Sequence, residues 1–167
     1  MKHSTDEELV HQYRTQKDER ALEVLIKRYL SQIYGFVRNY TGNSDNASDI
    51  TQEVFVKVWK NINKFDDSKS FRTWVFTIAK RTSIDWLKRR TILPLEESFD
   101  VADDSPSILE QLVSKEKSEK LSFVMAKLPS NYSLVINLYI NEGLNFREIS
   151  KTFKEPLNTV KSRYRRG

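Results

Sequence analysis

The stretch Ser48-Asp49-Ile50-Thr51-Gln52-Glu53-Val54-Phe55-Val56-Lys57-Val58-Trp59 decides the fold. Side chains three and four positions apart share a helix face, so at about 3.6 residues per turn Ile50, Val54, Phe55, Val58, Trp59 and Ile62 gather on one broad apolar side. Asp49, Gln52, Glu53, Val56 and Lys60 gather on the other, an acidic face with a single valine in it. Working outward, Phe71-Arg72-Thr73-Trp74 opens a second run that closes at Ile84-Asp85-Trp86-Leu87-Lys88-Arg89-Arg90. Phe71, Trp74, Val75, Ile78, Ala79, Thr82 and Trp86 form its stripe, and Phe76, Lys80 and Leu87 point away from it. A helix with large apolar groups off its stripe is expected to touch something there.

With only four glycines and four prolines to punctuate the chain, and no strictly alternating segment, an all-α fold is the economical reading. About eight helices are expected, the first four near residues 5–17, 21–41, 47–62 and 71–90. Asn43, Ser44, Asp45 and Asn46 offer N-caps for the third, and Asp66, Asp67, Ser68 and Ser70 for the fourth. Residues 1–91 thus read as one helical bundle. Residues 92–118 read as an acidic linker, because Glu96, Glu97, Asp100, Asp103, Asp104 and Glu110 occur with no lysine or arginine until Lys115. Residues 119–167 read as a second small domain.

That second domain has helix-turn-helix spacing. Leu121, Val124, Met125 and Leu128 form a stripe stopped by Pro129, and Leu134, Val135, Leu138 and Tyr139 begin the next, with Gly143 as its terminator. Asn145 and Glu148 make a capping box that opens a helix over 146–153, and Pro156-Leu157-Asn158 makes the turn before Thr159 starts the last helix. Val160 and Tyr164 stand four apart and pack inward, which sends Thr159, Lys161, Ser162, Arg165 and Arg166 outward. Such a face suits a major groove: arginine grips guanine bidentately, and lysine and serine hold phosphates.

Composition narrows the chemistry. The 38% hydrophobic and 31% charged content of 167 residues suits one or two helical domains with thin cores. The chain has no cysteine, which excludes disulfides and thiolate chemistry, and its two histidines, His3 and His11, form no metal-ligand constellation. No catalytic residue, cofactor or metal is expected; Asp49 and Glu53 lack the cleft and nucleophile an enzyme needs. With no apolar run long enough to span a bilayer and no signal-peptide stretch, a cytoplasmic protein without membrane insertion is expected. The net charge of +5 is concentrated at Lys80, Arg81, Lys88, Arg89 and Arg90 and again at Lys161, Arg163, Arg165 and Arg166.

In their order and spacing these pieces resemble region two and the regions that follow it in bacterial RNA polymerase sigma factors of the extracytoplasmic-function (ECF) group. Leu25-Ile26-Lys27-Arg28-Tyr29-Leu30 with Ile33-Tyr34-Gly35-Phe36-Val37-Arg38 is similar to that group's first conserved helix, and Leu128-Pro129 through Ser162-Arg163 to its promoter-reading fourth region. The resemblance implies a region 2 bundle, a linker threading the polymerase, and a region 4 helix-turn-helix. It implies that Asp49, Gln52, Glu53 and Val56 dock on the clamp helices of the largest subunit of core RNA polymerase. It also implies that Thr159, Lys161, Ser162, Arg165 and Arg166 read the double-stranded -35 element. Around the -10 element, Phe65, Ser68, Lys69, Ser70, Ile78, Lys80, Arg81, Arg89 and Arg90 are implied to hold the unpaired strand, with Phe65 as a stacking wall. An anti-sigma partner is implied as well.

The chain departs from the family pattern at Lys154 and Asn158, where glycine is usual, at Ser150 in place of alanine, and at Arg81 in place of a frequent asparagine. It also stops at Gly167, sooner than region 4 usually does. Packing offers a plainer account of two positions: Phe65 closes the bundle, and Arg81 pairs with Asp85. The rivals from other classes are a stand-alone helix-turn-helix regulator and a helical protein that sequesters a partner.

Overall fold

The computed structural model describes residues 4–42, 46–92 and 128–167, without the side chains of residues 90–92 and 130. The described residues contain helices and no strand, in the order α1 (Asp6–Gln16), α2 (Glu19–Thr41), α3 (Ala47–Asn61), a 3-10 turn (Ile62–Lys64), α4 (Phe71–Ile92), α5 (Ser130–Ile140), α6 (Phe146–Phe153) and α7 (Leu157–Arg166). Residue 92, expected at the start of the acidic linker, is the last residue of α4; the rest of the linker, residues 93–118, and the stripe Leu121 to Met125 lie outside the described residues.

Local chemistry sets these boundaries. Thr5 and Glu8 form a reciprocal capping box at the start of α1, and Lys17 turns left-handed at φ 54° to end it. Asp18 caps α2 by accepting from the Arg20 amide at 3.0 Å. Gly42, at φ 67°, closes α2 by donating its N–H to the Arg38 carbonyl at 2.9 Å. Ser70 Oγ accepts from the Thr73 amide at 3.3 Å as α4 begins, as its hydroxyl suggests.

The bundle core forms where the stripes of α2, α3 and α4 meet. Tyr29, Phe36, Phe71 and Phe76 are its largest fully buried side chains, with Phe36 and Phe76 edge to face at 5.5 Å between ring centroids. This corrects one expectation: Phe76 is not off the core but 0% exposed. The reason is that α4 packs on α2 and α3 and on α6 as well, so a single stripe cannot describe it. Trp59 is the converse. Expected on the inner face of α3, it is 52% exposed, because Ile62 in the following 3-10 turn already fills the end of that face.

The second half builds on α5, which ends through Gly143 at φ 65° with the Leu144 amide bonded to the Leu138 carbonyl at 2.9 Å. Leu134, Val135, Leu138, Leu144, Ile149, Phe153 and Val160 are buried there, and a triangle of Tyr139, Phe146 and Tyr164 seals one side. The last helix starts at Leu157, two residues earlier than expected, because Pro156 pre-sets the backbone that leads into a first helical turn. Buried residues of both halves join in one apolar cluster.

Candidate functional site

The outer row of α3 stands as the periodicity implies at three of its four positions. Asp49, Gln52 and Val56 are exposed, Val56 by 45%. Glu53 is half-buried and pairs with Lys57 at 2.8 Å, and Lys57 Nζ also donates to Thr82 Oγ1 of α4 at 3.1 Å. It therefore helps tie α3 to α4. Trp59, missed by the sequence reading, extends the exposed row and borders a groove lined by Tyr13, Leu22 and Ile26.

The second group spans the loop before α4 and the helix itself. Phe65 is 3% exposed and packs edge to face on Phe71 at 5.5 Å and against Trp74 at 5.1 Å. Its ring is a core element, so the packing account holds and the surface stacking wall does not. The loop is a preformed turn. Asp66 Oδ1 accepts from the Ser68 amide at 3.1 Å and its hydroxyl at 2.7 Å, and Asp66 Oδ2 pairs with Lys69 at 2.9 Å. The Lys69 ammonium and these Ser68 hydrogen bonds hold the Asp66 carboxyl down at about 2. Asp67 pairs with Arg14 of α1 at 2.6 Å, which anchors the turn to the bundle. Ser68 and Lys69 are exposed, and Ser70 is half-buried at the helix start.

Along α4, Arg81 and Arg89 are exposed and Ile78 is half-buried against the core; Arg90 has no described side chain. Arg81 and Asp85 are both exposed, and no ion pair joins them among the described residues. Lys80 is different. Its Nζ donates to the Phe153 carbonyl at 2.8 Å and sits 4.6 Å from the centroid of the Phe153 ring. Burial holds its pKa below the usual lysine value.

On α7, Val160 is buried and Tyr164 packs into the aromatic triangle, as their spacing requires. Arg165 and Arg166 are exposed; Thr159, Lys161 and Ser162 are half-exposed beside them. Arg163 turns back to Glu155 at 2.5 Å and is an internal residue of the unit. Two of the family departures, Lys154 and Ser150, help shape the turn between α6 and α7. Lys154 is left-handed at φ 53°, and Ser150 Oγ donates to the Glu155 carbonyl at 2.6 Å, a bond alanine could not make.

The sequence gives no hint of how the two halves meet. Arg72 Nη1 donates to the Glu142 carbonyl at 2.9 Å, and Thr73 Oγ1 donates to Glu148 Oε1 at 3.0 Å. Glu148 Oε2 meanwhile accepts from the Asn145 amide at 2.9 Å in the capping box of α6. Behind Arg72, Asp6 accepts from both Arg28 and Tyr29. Burial, and then the hydrogen bond to Asp6, push the Tyr29 hydroxyl up to about 12. Glu142 is 9% exposed, its Oε2 has no hydrogen-bond partner, and burial raises its pKa. These contacts join residues 70 and more apart, which no local pattern can foretell.

A four-helix bundle joined to a basic helix-turn-helix unit defines the class: a helical, two-part DNA-binding protein. Residues 25–92 match the family model described as Sigma-70 region 2. The chain is 30% identical over 161 residues to the ECF RNA polymerase sigma factor SigW of Bacillus subtilis, covering 90% of this chain and 86% of that protein. An engineered region 2 of sigmaE, solved in complex with GTAAAA, is 28% identical and superposes with a TM-score of 0.51 over 55% of this chain and 94% of that one. The sigma factor RpoE of Bartonella quintana, solved with the anti-sigma factor NepR, shares the fold at 18% identity and a TM-score of 0.65, covering 86% and 89%. The chain belongs to the ECF group of RNA polymerase sigma factors. Among the described residues no helix is long and apolar enough to cross a membrane.

Proposed function

We propose that this chain binds core RNA polymerase through α3, brings it to promoters with -35 and -10 elements, and helps open the duplex. The observation that carries this reading is the exposed row Asp49, Gln52, Val56 and Trp59 on a bundle whose core is complete without it. A stand-alone duplex reader needs no such surface; a subunit of a larger enzyme does. The acidic residue among them suits a basic helical partner such as the polymerase clamp. The bundle, residues 1–91, supplies docking and -10 contacts, residues 92–118 connect, and residues 119–167 read the -35 element.

Within the -10 group we assign strand contacts to Ser68, Lys69, Ser70, Ile78, Lys80, Arg81, Arg89 and Arg90, with cationic groups on phosphates and the preformed Asp66 turn as a rigid edge. Phe65 acts from beneath, by holding that turn. On α7 Thr159, Lys161, Ser162, Arg165 and Arg166 face the major groove. No bond is made or broken by the chain itself, and a protein whose partners are polymerase and promoter works in the cytoplasm. RpoE of Bartonella quintana is held by an anti-sigma factor, and a comparable protein partner fits this chain.

The experiment is a pull-down of core polymerase by the double variant Gln52→Lys and Val56→Lys. Both sites are exposed, so the fold should survive with its helical circular dichroism intact while capture of core enzyme is lost. Reversing Glu53 would be a poorer choice, since it breaks the Lys57 pair. Undiminished capture by the folded variant removes α3 from the docking role.

A further inference from the structure

Helix α1 carries none of the contacts assigned above to polymerase or promoter, yet it is firmly seated. Leu9 and Val10 are buried, and Asp6 accepts from Arg28 and Tyr29 of α2. From this frame Arg14, in the last turn of α1, reaches residues 49 and 53 positions further along the chain. Its Nη1 pairs with Asp67 Oδ1 at 2.6 Å, and its Nη2 donates to the Asn63 carbonyl at 3.2 Å. The planar guanidinium therefore grips the chain on both sides of Phe65, whose ring is buried between these two points. Helix α1 also packs on the 3-10 turn that leads into this segment. Past Asp67, the Asp66 carboxylate holds the Ser68 amide and hydroxyl and the Lys69 ammonium, and the Asp66 carbonyl accepts from the Lys69 amide at 2.9 Å. The residues offered to the unpaired strand thus stand on three fixed points: the Asn63 carbonyl, the Phe65 ring and the Asp67 carboxylate.

Stability does not account for this fork. An ion pair whose side chains are 27% and 65% exposed adds little to folding. Nor does simple electrostatics account for Asp67, since a carboxylate in a loop that meets a phosphate backbone repels it. We infer that Arg14 is a positioning residue for strand capture: it neutralises Asp67 and confines Ser68, Lys69 and Ser70 to one arrangement before the strand arrives. A loop ordered in advance spares the complex the entropy of ordering it on binding. The inference rests on the functional reading above, and it makes α1 part of the strand-binding apparatus without giving it a contact to DNA.

The test uses the full chain assembled with core polymerase, and fluorescent single-stranded oligonucleotides that this holoenzyme, but not core polymerase alone, retains from a random pool. Arg14→Gln, Arg14→Lys and Asp67→Asn should each bind them roughly three- to tenfold more weakly. Each variant should still capture core polymerase and melt within about 3 °C of the unmodified chain. The sign at Asp67 is decisive, because loss of a negative charge beside a polyanion would by itself tighten binding. Arg14→Lys keeps the charge of Arg14 but not its two-pronged grip. The salt dependence separates positioning from contact: its slope should be unchanged in Arg14→Gln, whereas removal of one phosphate contact lowers it by ~0.7 for a single strand. A shallower slope in Arg14→Gln makes that residue a phosphate contact and overturns the proposal, as does unchanged or tighter binding by Asp67→Asn. Failure of the unmodified holoenzyme to retain any oligonucleotide beyond those held by core polymerase alone overturns the functional reading, and the proposal with it.

Discussion

Lys154 holds φ 53° and ψ 43° at the end of α6, a left-handed conformation that crowds the Cβ of any L residue other than glycine. Lys154→Gly should therefore stabilise the protein by about 0.5–1 kcal/mol, the steric relief outweighing the extra freedom glycine brings to the unfolded chain. Thermal melting of the variant checks this; an unchanged or lower midpoint would show that the turn accepts lysine without strain. Phe65 illustrates the opposite case, a residue whose role the sequence leaves open between a wall for a base and a part of the core. Its contacts with Phe71 and Trp74 predict that Phe65→Ala costs about 3–5 kcal/mol of stability, readable by denaturant unfolding. A loss well under 1 kcal/mol would return Phe65 to the surface. Sequence patterns found the Asn145 and Glu148 box and the awkward Lys154 because both depend on neighbours in the chain. They could not place Phe65, because its surroundings are set by α4 packing over it.

At the scale of elements, α3 and α7 were legible and α4 was not. Each of the first two packs one face and leaves one in solvent, so periodicity sorts their residues, apart from Trp59 at a helix end. Buried against neighbours on several sides, α4 has no single stripe to read, and Phe76 was misplaced for that reason. The exposure of Arg165 and Arg166 on α7 carries a prediction of its own. If either grips a base edge, its replacement by alanine should cost ~1–3 kcal/mol at one promoter position and relax specificity there. Run-off transcription from a series of mutated upstream elements reads this directly. Uniform weakening across the series, with a shallower salt dependence, would assign that arginine to phosphate instead.

For the molecule as a whole, the contact between halves is expected to depend on pH through Glu142. Its carboxyl is buried where the halves meet and its pKa is raised by that burial, so the packed structure binds a proton more tightly than the unfolded chain does. The contact is therefore expected to be favoured on the acid side and to weaken as pH rises from the usual carboxylate range through the raised value. Glu142→Gln should flatten that dependence and strengthen the contact near neutrality, as energy transfer between dyes on residues 27 and 165 would report across roughly pH 4 to 7. A pH profile identical to that of the unmodified chain would show that the carboxyl does not govern the contact.

Glu148 gives this arrangement a property of a fastener. One oxygen secures the first turn of α6 and the other receives the Thr73 hydroxyl, so loss of the Thr73 contact would free a single oxygen for water and leave the turn sealed. The start of α6 thus does not depend on the contact that the helix makes with α4.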